Sequence, residues 1–90
     1  MSVSSILAER IQYLCKRRNI SINQLASMGG IPHSSLDNIM NGRSKNPSIK
    51  MIMKIANALS ISPAELINIP ELNDYLKDGD PDNDSPPDSE

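Results

Sequence analysis

The sequence predicts an all-α protein, with five short helices packed together over residues 1–70 and an acidic tail over 71–90. Three observations carry that expectation. With two Tyr and no Trp or Phe, the core has to be assembled from Ile, Leu, Met and Ala, which favours helices packed on helices. Apolar residues recur at the three- and four-residue spacing of an amphipathic helix. Capping boxes and glycine or asparagine stops then divide that pattern into brief segments.

Taken in order, Leu7, Ile11 and Leu14 with Cys15 give the segment from Ser4 to Arg18 one apolar face. Lys16, Arg17 and Arg18 stand in its last turn, where the helix dipole favours cations. Asn19 is suited to the left-handed conformation that ends a helix. Ser21 and Gln24 form a capping box, with Ile20 and Leu25 as its hydrophobic staple, so a second helix runs from about 22 to 28 and stops at Gly29-Gly30. Pro32 fits the first turn of a third helix over about 32–41, which closes at Asn41-Gly42.

Ser48 caps a fourth helix carrying Ile49, Ile52, Met53, Ala56 and Leu59 on its apolar face. Ser62-Pro63-Ala64-Glu65 is a second capping box and opens the fifth helix, with Ile61 and Leu66 as its staple. Leu72, Tyr75 and Leu76 fall on one edge of a short helical extension over 71–77. From Gly79 onward Asp, Pro and Ser dominate and no apolar residue remains, the composition of a disordered end.

Composition also excludes. The single Cys15 rules out an internal disulfide and a cysteine-based zinc site, and one histidine adds little to a metal argument, so no metal and no cofactor are expected. No set of acid, base and nucleophile converges on one element, so an enzyme is not expected. The N-terminus lacks a signal-peptide pattern and no apolar run approaches the roughly 18 residues of a membrane span, so a cytoplasmic protein with no membrane partner is expected.

The net charge of −2 hides a division. Residues 1–70 carry +5 and residues 71–90 carry −7, so the acidic balance belongs to the tail. The folded part is basic, as a polyanion binder would be.

Function enters through a spacing. Counting Ile22 as the first position, Ala26 is fifth, Gly30 ninth, Ile31 tenth, Leu36 fifteenth and Ile39 eighteenth. A small residue at Ala26 lets two helices cross closely, a glycine at Gly30 permits a positive φ in the tight turn, and aliphatics at Leu36 and Ile39 press the second helix onto the first. That is the helix-turn-helix pattern.

The stretches SINQLA, GIPHSSLDNIMNG, KNPSIKMIMKIANAL and ISPAEL fill the remaining positions. Over residues 7–67 the chain resembles the phage-repressor-like (Xre/Cro) helix-turn-helix family, and so is expected to be a compact five-helix lambda-repressor-like DNA-binding domain. The resemblance implies sequence-specific binding of double-stranded DNA by a transcriptional regulator, a repressor of bacterial or phage type, acting as a homodimer.

Carried onto matching positions, the family's docking places the N-terminal part of the third helix at base edges in the major groove. That assigns base reading to His33, Ser34, Ser35, Asp37 and Asn38. It assigns backbone contacts to the second helix's start at Ile22 and Asn23, and to Asn41, Arg43, Ser44, Lys45 and Asn46 behind the third helix. Without the motif, polar residues on a short surface helix need no functional explanation.

The chain departs from the family at Ile22, where many members have Gln, and at Pro32, where a Ser or Thr cap is usual. Cys15 and Met40 stand where members often pair Arg with Glu, an exchange of an ion pair for an apolar pair that need not reduce stability.

Two features keep alternative readings. Ile69, Leu72, Tyr75 and Leu76 either cover the end of the core or form the dimer interface. The acidic tail either solvates the chain, competes with DNA for the basic face, or engages a protein partner. The same fold would also serve the antitoxin of a toxin–antitoxin pair, or a protein-interaction module that has lost DNA binding.

Overall fold

The computed structural model describes residues 3–75. Its elements in chain order are α1 (Val3–Arg17), α2 (Ile22–Gly29), α3 (His33–Met40), α4 (Ile49–Ala58), α5 (Pro63–Leu66) and α6 (Pro70–Asn73). No strand occurs among the described residues.

The five expected helices are α1 to α5, and the expected short extension follows them as α6 among the described residues. Ile69 is buried, only 8 % exposed, and holds the chain against the body of the protein. Pro70 then supplies a preset φ at the first helical position, and α6 packs on α1. The described part of the expected extension over 71–77 is the turn Pro70–Asn73, which starts one residue earlier. Leu76 and the acidic stretch that follows it lie outside the described residues.

The core is one aliphatic cluster. Leu7, Ile11, Leu14 and Cys15 of α1 meet Leu25 and Ala26 of α2, Leu36 and Ile39 of α3, and Ile52, Ile55 and Ala56 of α4, with Ile31, Leu59 and Leu66 closing it. Each fully buried Leu or Ile contributes roughly 1.5–3 kcal/mol relative to exposure. Met40 packs against the cluster that contains Cys15, so both residues of the apolar exchange face the core. On α4 the buried stripe runs through Ile52, Ile55, Ala56 and Leu59, whereas Ile49 and Met53 are 72 % and 54 % exposed. Met53 falls on the flank of that stripe and Ile49, though in register with it, is the first residue of α4, which corrects their expected place in the core.

The stops behave as their chemistry requires. Asn19 takes φ 53° and Gly30 φ 62°, each ending a helix in the left-handed region. Ser48 Oγ accepts from the Met51 amide at 3.1 Å, and the Ser62 half of its expected box is made, with Oγ accepting from the Glu65 amide at 3.0 Å. Arg10 reaches across from α1 to the other end of α5, donating from Nη2 to the Glu65 carbonyl at 3.0 Å.

Gly29 is the last residue of α2, so the helix stops at Gly29-Gly30 as expected, and space also favours glycine there. A Cβ there would stand 3.0 Å from Ile31 Cδ1 and 3.2 Å from Ala58 Cβ, so its missing side chain lets α2 lie close to α4. At Gly30 a Cβ would meet nothing within 4 Å, and only the backbone demands glycine. The two positions should fail differently. Gly30→Ala should lower stability by about 1–2 kcal/mol through backbone strain alone, with Gly30→Asn recovering part of it. Gly29→Leu should lower stability by about 1–3 kcal/mol through overpacking, both read from urea unfolding.

Burial pushes the Cys15 thiol above its ordinary value of 9.0, against a smaller opposing pull from the Arg18 charge. A raised folded-state pKa means a contribution to stability that is present below pH 9.0 and is lost as pH climbs through the folded value. The urea midpoint of the native protein should therefore fall more steeply above pH 9.0 than that of Cys15→Ala. The thiol should react with a disulfide reagent only on unfolding.

Candidate nucleic-acid interface

The start of α2 is set by its cap. Ser21 Oγ accepts from the Gln24 amide at 3.0 Å while Gln24 Oε1 accepts from the Ser21 amide at 2.7 Å. That box uses two of the open amides and leaves those of Ile22 and Asn23 at the positive end of the helix. The Ile22 side chain packs against the core, so this residue can offer an anion only its backbone.

The turn to α3 is fastened by backbone bonds. The Ile31 amide donates to the Ala26 carbonyl at 2.9 Å and the Gly30 amide to that of Ser27 at 3.4 Å, an arrangement that requires the left-handed Gly30. Ile31 is buried, and Ala26, Leu36 and Ile39 lock α3 across α2. Pro32 is the residue before the helix instead of its first helical position, so the expected span of 32–41 becomes His33–Met40, flanked by Pro32 and Asn41. Having no side-chain acceptor, Pro32 leaves the first amides of α3 uncapped.

The five residues expected to read bases divide into two sets. His33, Ser34 and Asp37 are exposed on the outward face of α3. Ser35 and Asn38 are half-buried and line a shallow groove with Ser44, Asn46 and Pro47 of the following loop. The His33 ring is not free, since its Nε2 lies 3.3 Å from Ser27 Oγ on α2.

The loop behind α3 has a defined shape. Asn41 Oδ1 accepts from the Arg43 amide at 3.1 Å, and the Ser44 amide donates to the Asn38 carbonyl at 2.9 Å. The hydroxyl of Ser4, fully buried on α1, donates to the Ser44 carbonyl. Of the residues expected to meet phosphates, Asn41 by its side chain and Ser44 by its main chain hold the loop, while the side chains of Arg43, Lys45 and Asn46 are exposed.

No Asp or Glu occurs from Asn38 to Ala64, a span that carries Arg43, Lys45, Lys50 and Lys54. The segment itself thus has no acidic residue to oppose a polyanion, and the carboxylates beside it are Asp37 on α3 and Glu9 on α1, which lines a groove with Met40, Asn41 and Gly42.

Sequence reasoning missed Ser4. The signal was present, because Ser4 precedes Leu7 by three positions and so falls on the apolar face of α1. Of the residues expected either to cover the end of the core or to form a dimer interface, Ile69 is buried in the monomer and so covers the core, while Leu72 and Tyr75 are half-buried at the same end.

Two helices crossed through a left-handed glycine, the second presenting polar side chains beside a cationic loop, define a helix-turn-helix DNA-binding domain. The chain belongs to the family of the Cro/C1-type HTH DNA-binding domain, whose profile matches residues 10–71. That is a family of DNA-binding domains and not of enzymes.

Among curated proteins, the chain is similar to the HTH-type transcriptional regulator SlrR of Bacillus subtilis (strain 168), 38 % identical over 53 residues. The match covers 59 % of this chain and 35 % of SlrR, so the chain spans about a third of that relative's length. Among solved structures it resembles the prophage Lp1 protein 11, with a TM-score of 0.73 and 30 % identity over 81 % of this chain and 97 % of the other. No helix among the described residues is long and apolar enough to cross a membrane, and no group of three His, Cys, Asp or Glu gathers there as a metal site.

Removing the Ser4 hydroxyl should loosen the loop selectively. In Ser4→Ala the Ser44 amide should exchange with solvent several-fold faster while core amides such as that of Ile11 stay protected, with stability lower by about 1–3 kcal/mol. Equal protection of Ser44 in both proteins would mean that the buried hydroxyl does not hold the loop.

Proposed function

We propose that the chain is a transcriptional regulator that binds duplex DNA sequence-specifically through α3 and represses by occupying its operator as a homodimer in the cytoplasm. One observation supports this above the rest. His33, Ser34 and Asp37 stand exposed on α3 beside Arg43, Lys45 and Asn46 on a loop fastened to the core.

In this reading the start of α3 enters the major groove. His33 and Ser34 meet base edges there; Ser35 and Asn38, set back in the groove, meet the bases further along. Asp37 accepts from a cytosine amino group or rejects a wrong base, adding little affinity so near phosphates. The amides of Ile22 and Asn23 at the α2 start and the side chains of Arg43, Lys45 and Asn46 hold the two flanking phosphate strands and fix the register. Asn41 and Ser44 shape that second clamp from within.

A dimer through the end of the domain that carries Leu72 and Tyr75 would place two α3 helices about 34 Å apart, on successive major grooves. The second reading, a protein-interaction module, draws on the exposed Met28, Ile49 and Met53, and predicts weak DNA binding that salt does not affect.

Selection of bound duplexes from a random pool separates these. The native protein should enrich a palindrome, His33→Ala/Ser34→Ala should relax it at specific positions, and Arg43→Ala/Lys45→Ala should weaken binding to all sequences. The second pair should also make the salt slope shallower by about 0.9 per lost phosphate contact. No enriched motif, and identical behaviour of all three proteins, would favour the interaction module.

A further inference from the structure

We infer that Ser27, on α2 and outside the set of DNA-contacting residues, is a positioning residue that holds the His33 ring by Nε2 and leaves Nδ1 to meet the base. The inference rests on the reading of His33 as a base-contacting residue. It adds which ring atom does the reading and what aims it.

The observation is the 3.3 Å approach of Ser27 Oγ to His33 Nε2 across the turn. His33 is the first residue of α3, preceded by a proline with no capping side chain, and it is exposed. Nothing in the helix start would by itself choose a ring orientation. Ser27 belongs to α2, whose crossing with α3 is fixed by Ala26, Gly30 and Ile31, so its hydroxyl is held at a set place relative to the His33 backbone.

A serine hydroxyl can donate or accept. It can therefore bind Nε2 in either neutral tautomer and in the imidazolium, so the same nitrogen is engaged in all of them. Only Nδ1 remains for another partner. A free imidazole could present either nitrogen to the groove and so address several base edges indifferently. A ring fastened at Nε2 reads with one atom in one place.

Since His33 is the sole histidine, its ring nitrogens can be followed without ambiguity by nitrogen NMR in the free protein. Ser27→Ala should shift the Nε2 resonance toward that of an unconstrained imidazole, and Ser27→Thr, which keeps the hydroxyl, should not. An unchanged resonance in Ser27→Ala would overturn the inference whatever DNA does.

On the selected duplex and its single-base-pair variants, Ser27→Ala should lower the preference at the base pair sensitive to His33→Ala by roughly fivefold, the loss of one hydrogen bond's worth of orientation. Ser27→Thr should restore that preference. In the His33→Ala background, Ser27→Ala should change nothing further. An additional loss there would show Ser27 touching DNA directly and would overturn the positioning role. If the resonance moves as expected but His33→Ala leaves every base preference intact, the failure lies with His33 as a reader, and the role assigned to Ser27 in recognition falls with it.

Discussion

The left-handed backbone at Gly30 is the constraint on which the rest of the interface depends. It turns the chain so that the Ile31 amide reaches the Ala26 carbonyl at 2.9 Å, which in turn delivers Ile31 into the core. Once that turn is made, Leu36 and Ile39 have only one way to face Leu25 and the α1 residues. The outward face of α3 follows from where its inward face must go.

A second fastening acts at the far end of α3. The helix itself is only eight residues long, too short to be stable alone. Its end is continued by a loop whose backbone is bonded to Asn38 on one side and to the buried Ser4 hydroxyl on the other. The cations on that loop are thereby referred to α1, the longest helix, and not to a free strand of chain. The groups proposed to read bases and those proposed to hold phosphates then share one backbone frame, which leaves only their side chains to be ordered on binding.

Most of the frame was legible in the sequence because it is written in local chemistry. The capping box of Ser21 and Gln24, the asparagine stop at 19, the serine caps at 48 and 62 and the glycine at 30 each act within a few residues of themselves. What the sequence concealed depends on distant partners. Gly29 read only as part of a stop, whereas α4 also brings Ala58 beside it, and Ile49 and Met53 fitted the helical period but are exposed, Ile49 at the start of α4 and Met53 on the flank of its stripe. The burial of Ser4 and of Ile69 was not legible for the same reason, since it depends on a loop forty residues away for Ser4 and on packing of the chain end against α1 for Ile69. Within the interface, spacing identified the recognition helix, but only the packed loop separates the exposed His33, Ser34 and Asp37 from the half-buried Ser35 and Asn38.

His33, Ser34 and Asp37 lie outside the buried cluster that holds Leu36 and Ile39. The side chains proposed to meet DNA are thus physically uncoupled from those that fold the domain, although the two sets alternate along the same eight residues. Lineages can rewrite the first while keeping the second, so a duplicated gene can acquire a new target without passing through an unfolded ancestor.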